Sequence, residues 1–577
     1  MRQRKKIFSE KDISPDEIFL DAKNMPNFSR ESFEGVMEKT IAPAGALVMA
    51  AVFGLVLIIM IFKVGILQFN QGEAFYQRAK ENRLRLMTLF PERGVIYDRR
   101  GLELAWNDNF AGEIIRVYTN LSGLSHLLGY MGFFSEEELA EGDFNRQSKY
   151  GRAGLEKGLD DFLRGQKGRR LVEVDSLDRI ISESVQQMPE NGADVALTID
   201  AEMQSKLFEK IQNTIKDRGF KGGAGIVMNP QNGEILAMTS WPEYDSNAFS
   251  KGEAEKLPFF LNNEEKPLFF RAVSGLYSPG STIKPIIALA ALEEGVIDKD
   301  RSIFSAGSIS VTNPYDSDKN TVFYDWKAHG WVDMRRAIAV SSNVYFYTIG
   351  GGFEDIGGLG VSRLKKYFEM FGLGKKTGLE FLPEEAGFVP DPEWKEKYFS
   401  DKIWRVGDTY NLSIGQGWLE ATPLQMAAAA SIISRNGERI KPHLLKEMRF
   451  TDKNKKIDPV KSSEAEFNRV NIEEKYFKIV KEGMKIAVEE GTAQALSGLG
   501  IEIGAKTGTA QIGGGKVDSW LIAFAPYDNP RLVLTIVLEG GNADNLVGAP
   551  FAARQFFEWL ILNRPEYLTV DNGVDPN

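Results

Sequence analysis

The sequence contains no cysteine among its 577 residues. Disulfide frameworks, thiol nucleophiles and thiolate metal sites are therefore excluded. Histidine is nearly absent: His126, His329 and His443 are the three in the chain, and they are far apart in sequence. A three-histidine metal site would need all of them to converge. A serine nucleophile would have to find another base, and lysine is the first candidate. Positive charge is not in excess. Lys plus Arg number 70 against 80 for Asp plus Glu, a net charge of -10, which speaks against a dedicated nucleic-acid binder. Internal repeats and low-complexity segments are also missing. What is present, 43% hydrophobic and 26% charged residues, is the composition of a folded protein. The length asks for two to four domains.

One long apolar run stands near the start. Residues 44 to 62 read AGALVMAAVFGLVLIIMIF, 19 uncharged residues in succession. As a helix they span roughly 28 Å, close to the hydrocarbon thickness of a bilayer. Lys63 can snorkel while residues 64 to 67 extend the run. About forty polar residues precede it, and Gln68-Phe69-Asn70 makes a poor cleavage site. The run therefore reads as an uncleaved signal anchor. Basic residues lie on both sides of it, so charge counting does not orient it.

Beyond the anchor, residues 69 to 188 are charged and irregular, with short apolar runs. Residues 91 to 101 read as a short strand leading into a turn. Gly154-Leu155-Glu156 opens a helix ended by Gly165 or Gly168. Residues 201 to 218 form a helix with Asp200 as its N-cap. Apolar runs at 224–228 and 234–240 flank Asn229-Pro230-Gln231-Asn232-Gly233 as a hairpin. Runs at 519–525 and 532–539 do the same around Pro526-Tyr527-Asp528-Asn529-Pro530, and 551–562 reads as a helix. Strands at both ends with helices between them predict an α+β domain, one antiparallel sheet closed by both ends of the segment.

Three short motifs carry the chemistry. In Tyr277-Ser278-Pro279-Gly280-Ser281-Thr282-Ile283-Lys284-Pro285, Ser281 starts a helix and shares a face with Lys284 three residues on. The helix N-terminus favours negative charge developing at Ser281. The second motif, Ser341-Ser342-Asn343, falls in a stretch that reads as helical from 334 to 349. On its own it could be a polar helix kink. The third, Lys506-Thr507-Gly508-Thr509, reads as a strand, with Gly508 permitting close approach of another backbone. On its own it could be an edge strand with a solvated lysine.

Taken together and in this order, the three motifs are the signature set of penicillin-recognising serine enzymes, and the chain resembles the class B penicillin-binding proteins. Arg93-Gly94-Val95-Ile96-Tyr97-Asp98-Arg99-Arg100-Gly101, Gly154-Leu155-Glu156, Leu197-Thr198-Ile199-Asp200 and Ser413-Ile414-Gly415-Gln416-Gly417 extend the resemblance over residues 44 to 565. Asp325-Trp326-Lys327 and Phe524-Ala525-Pro526-Tyr527 look most like the elongation, penicillin-binding protein 2 group. The resemblance implies five parts: a cytoplasmic segment (1–43), an anchor (44–67), a pedestal or dimerisation-like domain (68–188), a transpeptidase domain (189–565) and a tail (566–577). Two departures stand out. The stretch from Arg100 to Gly154 is short for the group, which takes away much of the pedestal's head. Some members also have a metal site near the second motif that includes a cysteine; Asp325 and His329 lie in that region here, and with no cysteine no zinc is expected.

The implied chemistry is D,D-transpeptidation on peptidoglycan stems ending in D-Ala-D-Ala, without a cofactor. Ser281 is the expected nucleophile and Lys284 its general base. Bringing a lysine from its usual pKa near 10.4 to about 7 needs roughly 4 to 5 kcal/mol of bias against its charge, from burial and from Lys506 as a nearby cation. Ser341 is expected to relay a proton. Asn343 would hold the substrate or Lys284. Thr507, Gly508 and Thr509 would bind substrate, the two threonines taking the terminal carboxylate with Lys506. The N–H groups of Ser281 and Thr509 would form the oxyanion hole. β-Lactams should acylate Ser281. A SEDS-family glycosyltransferase and other elongation-complex proteins are the partners implied, with no nucleic acid. The catalytic domain would lie on the outer side of the cytoplasmic membrane, attached by one helix. A β-lactamase is disfavoured, because no convincing counterpart of its E-x-x-x-N deacylation loop is found between Asn343 and Lys506, and because the anchor and pedestal argue against it. A division-type transpeptidase, a D,D-carboxypeptidase and a β-lactam sensor are the remaining alternatives.

Overall fold

The computed structural model describes residues 43–81, 83–110, 113–133, 149–175, 179–252, 257–313, 316–450, 468–545 and 547–569. The expected cytoplasmic segment, save its last residue, and most of the expected tail lie outside them. The chain forms two compact units, residues 1–87 with 170–185, and residues 88–169 with 186–577.

The first unit is built around helix α1, Pro43–Asn70. Its apolar side chains are exposed along the whole length, Leu47 at 70% and Phe62 at 71%. The helix is long and apolar enough to cross a membrane. A short helix, Gly72–Glu81, follows. The unit also holds the body of a three-stranded sheet in which Gly168–Val174 lies between Leu84–Leu89 and Ile180–Gln187.

In the second unit the expected helix is α2, Ala201–Arg218, capped by Asp200, whose side chain accepts from Met203 N. Strands β1 (Gly222–Met228) and β2 (Ile235–Trp241) follow. Next come helices α3 (Lys284–Glu293), α4 (Met334–Val340), α5 (Asn343–Gly351), α6 (Pro423–Ser434) and α7 (Glu474–Glu489). Strands β3 (Gly504–Gly513), β4 (Lys516–Ala525) and β5 (Leu532–Asn542) and helix α8 (Ala549–Asn563) complete the set. The five strands form one sheet in the order β2-β1-β5-β4-β3, with every pairing antiparallel. Both ends of the segment thus close the sheet, as the α+β reading expects.

The sheet is covered on both faces, which is why its strands read as unbroken apolar runs. Alternation along β4 and β5 assigns the layers. Leu521, Ala523, Leu534, Ile536 and Leu538 pack with Leu207 and Ile211 of α2 and Phe556 and Phe557 of α8. Trp520, Ile522, Phe524, Val533 and Val537 turn to the other side, with Ile286 of α3, Leu424 and Ala427 of α6, and Phe477 of α7. Helix α6 is buried almost all round, as an apolar helix in the centre of a domain should be.

Three of the sequence boxes are tied together in this unit. Arg93 Nη2 and Arg116 Nε pair with the fully buried Glu156 at 2.6 and 2.7 Å. Arg93 Nη1 pairs with Asp160 at 2.8 Å. Arg100 Nε lies 3.1 Å from Asp200, which also accepts from the Tyr567 hydroxyl at 2.8 Å. A Cβ on Gly94 would meet Ala193 O at 1.8 Å, so that position requires glycine.

Candidate active site

The Ser281 segment does not open directly as an α-helix. Gly280–Ile283 is a 3₁₀ turn, and α3 begins at Lys284. The reason lies in the preceding residues: Gly280 has φ 55°, and Thr282 Oγ1 donates to Pro279 O at 2.6 Å. In a 3₁₀ turn residues three apart eclipse, so Ser281 and Lys284 stack along one line. Ser281 is half-buried, and among the described residues its hydroxyl has no hydrogen-bond partner.

The continuous helix expected over the second motif is broken into α4 and α5. Ser341 sits in the left-handed region, φ 59° and ψ 39°, where α4 ends. Ser342 is extended and caps α5, its Oγ accepting from Tyr345 N at 3.3 Å. The break turns Ser341 and Asn343 toward the first motif. Lys284 Nζ donates to Asn343 Oδ1 at 2.7 Å and to Ser341 O at 2.8 Å, and lies 3.4 Å from Ser341 Oγ.

The third motif lies on β3, the edge strand, but its lysine is not solvated. Lys506 is 0% exposed. Its Nζ donates to Ser341 Oγ at 2.9 Å and to Thr507 O at 2.8 Å. Gly508 does what its lack of a side chain allows. A Cβ there would meet Pro279 O and Thr282 Cγ2 at 2.9 Å. A Cβ on Gly280 would meet Thr509 O at 3.1 Å, so the strand runs beside the Ser281 turn. Thr509 is exposed and Thr507 half-buried; the Thr507 hydroxyl bonds to Thr492 Oγ1 at 2.7 Å.

Burial sets the electrostatics. Lys284, 0% exposed, is pushed down to about 7 by loss of solvation, with Asp325 opposing the shift. Lys506 is driven well below its ordinary range, first by burial and then by the Lys284 charge. Burial is the largest cause for both lysines, and the repulsion between them is mutual, disfavouring the charge of either while the other is charged.

Several supports escaped the sequence reading. Gly280 N donates to Gly415 O at 2.9 Å, so the Ser413–Gly417 box buttresses the Ser281 turn. Trp520 Nε1 donates to Ser278 O at 3.1 Å. Glu539 accepts from the Tyr277 hydroxyl at 2.9 Å and from Arg271 Nε at 2.8 Å. Its one signal in the sequence is an acid in an otherwise apolar strand run.

The three histidines have different partners. His126 Nε2 bonds to Pro267 O at 2.7 Å, His443 pairs through its backbone with Gly233 and Ile235, and His329 Nε2 lies 3.7 Å from Asp325 Oδ1. The residues near the second motif do not fit a four-ligand zinc site. Asp325 Oδ2 is already within hydrogen-bond distance of Ser342 Oγ, Ser305 Oγ and Val344 N. Among the described residues no group of three or more His, Cys, Asp or Glu could hold an ion.

Residues 223–557 match the penicillin binding protein transpeptidase domain, and residues 109–197 match the penicillin-binding protein dimerisation domain. The chain belongs to the penicillin-binding protein family. It is 29% identical to the peptidoglycan D,D-transpeptidase MrdA of Haemophilus influenzae, over 87% of this chain and 89% of that protein. It is 28% identical to the protein of the same name in Escherichia coli K12, over 95% and 96%. Among solved structures, Pseudomonas aeruginosa PBP2 superposes with a TM-score of 0.70 at 28% identity, covering 85% of this chain and all of that one. Helicobacter pylori PBP2, solved in complex with MreC, gives a TM-score of 0.67 at 26% identity, covering 83% and 99%. This penicillin-binding protein is of the class B, elongation type.

Proposed function

We propose that this penicillin-binding protein is a serine D,D-transpeptidase that crosslinks peptidoglycan stem peptides during wall elongation. The observation that carries the reading is the convergence of two buried lysine nitrogens on the Ser341 hydroxyl, behind an unengaged Ser281.

Ser281 Oγ attacks the carbonyl of the penultimate D-Ala, and its proton passes to neutral Lys284. The oxyanion is held by the N–H groups of Ser281 and Thr509. The C–N bond then breaks and the departing D-Ala amine takes a proton from Ser341, which is resupplied by Lys284 or Lys506. The acceptor amine of a second stem attacks the acyl-enzyme, loses a proton along the same relay and releases Ser281. Lys506, Thr507 and Thr509 receive the donor's terminal carboxylate, and the backbone around Gly508 pairs with the stem by strand addition. Asn343 holds Lys284. A β-lactam acylates Ser281 in the same way and leaves slowly.

The division into an anchor over 44–67, a pedestal over 68–188, a transpeptidase domain over 189–565 and a tail from 566 is part of this reading. The transpeptidase match at 223–557 falls inside the proposed transpeptidase domain, and the dimerisation match at 109–197 overlaps the proposed pedestal and runs past its end. So is the placement of the catalytic domain outside the cytoplasmic membrane, where crosslinkable stems are found. A SEDS-family glycosyltransferase is the inferred partner; a related chain at 27% identity was solved in a peptidoglycan synthase complex that coordinates polymerization and crosslinking. The test uses the full chain in detergent with synthetic stem pentapeptides and an acceptor amine. Release of D-Ala together with a crosslinked dimer supports the reading; release of D-Ala with no dimer at any acceptor concentration contradicts it in favour of a carboxypeptidase.

A further inference from the structure

The segment that precedes the second motif carries a carboxylate with an unusual load. The Asp325 side chain is fully buried. Its Oδ2 lies 2.8 Å from Ser342 Oγ and 3.2 Å from Ser305 Oγ, and accepts from Val344 N at 3.0 Å. Its Oδ1 accepts from Trp326 N at 2.9 Å. Three separate pieces of chain are thereby tied together: the short strand Ile303–Ser305, the Asp325 loop itself, and the break between α4 and α5. The next residue strengthens the tie, Trp326 Nε1 donating to Val340 O at 3.2 Å.

We propose that Asp325 is the positioning residue of the second motif: its carboxylate holds the start of α5, at Ser342 and Val344 just after the helix break, and so fixes where Ser341 and Asn343 meet Lys284. The proposal rests on the transpeptidase reading for its reaction, but on the hydrogen bonds above for its geometry. Ser341 is a non-glycine residue in the left-handed region, a conformation that persists only where its surroundings enforce it. Ser342 and Val344, which follow it, are the residues Asp325 grips. Asp325 touches no substrate in this scheme; it acts through Ser341, Asn343 and Lys284.

The same carboxylate is the negative charge that acts on Lys284. The titratable groups facing Lys284 are Asp325, Lys506 and His329, and those around Asp325 are Lys284, Lys327, His329 and Tyr347. Removing the Asp325 charge leaves Lys284 with burial and with a cationic neighbour, so its proton is lost at lower pH. Asparagine is also an incomplete geometric replacement. It has one acceptor oxygen, whereas the two carboxylate oxygens face two backbone N–H donors, Trp326 and Val344. Whichever way it sits, one donor is left without a partner.

The test measures Ser281 acylation by a fluorescent penicillin from pH 5 to 10, on the full chain in detergent, for the wild type, Asp325→Asn and Asp325→Glu, with melting curves alongside. For Asp325→Asn the expected result is a maximal rate lower by about tenfold or more, and a rising limb whose midpoint moves to lower pH. For Asp325→Glu, which keeps the charge but displaces it, the midpoint stays near that of the wild type while the maximal rate falls. Asp325→Asn with wild-type rate and midpoint overturns the proposal. So does an unfolded chain for both variants, which would make Asp325 a core residue alone. Loss of wild-type acylation on chelation, with recovery on adding zinc, overturns it too. A wild type that is not labelled at all would sink the transpeptidase reading instead.

Discussion

Two lysines on different elements share one hydroxyl, and neither can carry a full charge at low cost. Lys284 and Lys506 are both buried and both held below the ordinary lysine range. For such a group the unfolded chain binds more protons than the folded one between the lowered and the ordinary pKa. Stability therefore rises with pH over that window. Urea midpoints of the full chain should climb from about pH 7 toward 10, and Lys284→Met should flatten the climb. Catalysis follows the same proton: acylation should increase as pH rises through about 7, where Lys284 becomes a neutral base. Ser341→Ala should lower the acylation rate by about 10²-fold or more at every pH, because the relay is gone and not because a pKa moves. Stopped-flow labelling across pH separates the two effects.

At the scale of elements, the site is a close approach of a turn, a helix break and an edge strand. Gly508 is where that approach is tightest. Gly508→Ala puts a methyl against Pro279 O and Thr282 Cγ2, each 2.9 Å from the built Cβ, and should push β3 away from Ser281. Labelling should fall by about tenfold or more while the melting temperature changes by only a few degrees. Much of this arrangement was legible in the sequence. The cap at Asp200, both hairpins and the strand at Lys506 follow from local turn and capping chemistry, which a sequence carries directly. The 3₁₀ turn at Ser281 and the break at Ser341 did not, because tertiary bonds hold them. The first leans on Gly415, more than 130 positions away; the second leans on Asp325. Asp325 lies in a stretch that resembles the family, yet nothing local marks it as a hub. Lys506 is a similar case: the three motifs together put it near Lys284, but nothing local to an edge strand foretells its complete burial, which goes with its bond to Ser341 of the second motif.

Across the whole molecule, the boxes outside the active site have a mechanical purpose. Glu156 would be raised by its complete burial, but the Arg116 and Arg93 charges win and hold it below the usual carboxylate range. Its contribution is therefore present above the unfolded value near 4.3 and is lost as pH falls through the lowered folded value. Glu156→Gln leaves two buried guanidinium groups short of a counter-charge. It should cost about 3 to 5 kcal/mol, read as a lower melting temperature at pH 7 with the wild-type difference shrinking in acid. The exposed apolar surface of α1 adds one further expectation: the full chain should sediment with membranes and be released by detergent but not by high salt.

The proposed chemistry requires Ser281 to be the nucleophile of a slowly deacylating enzyme. Intact-mass spectrometry of the full chain in detergent, after exposure to benzylpenicillin, tests this most directly, with Ser281→Ala beside it. The expected result is one stable adduct of the antibiotic's mass on the wild type and none on the variant. An equal adduct on both chains, or drug hydrolysed with no adduct on either, would contradict it.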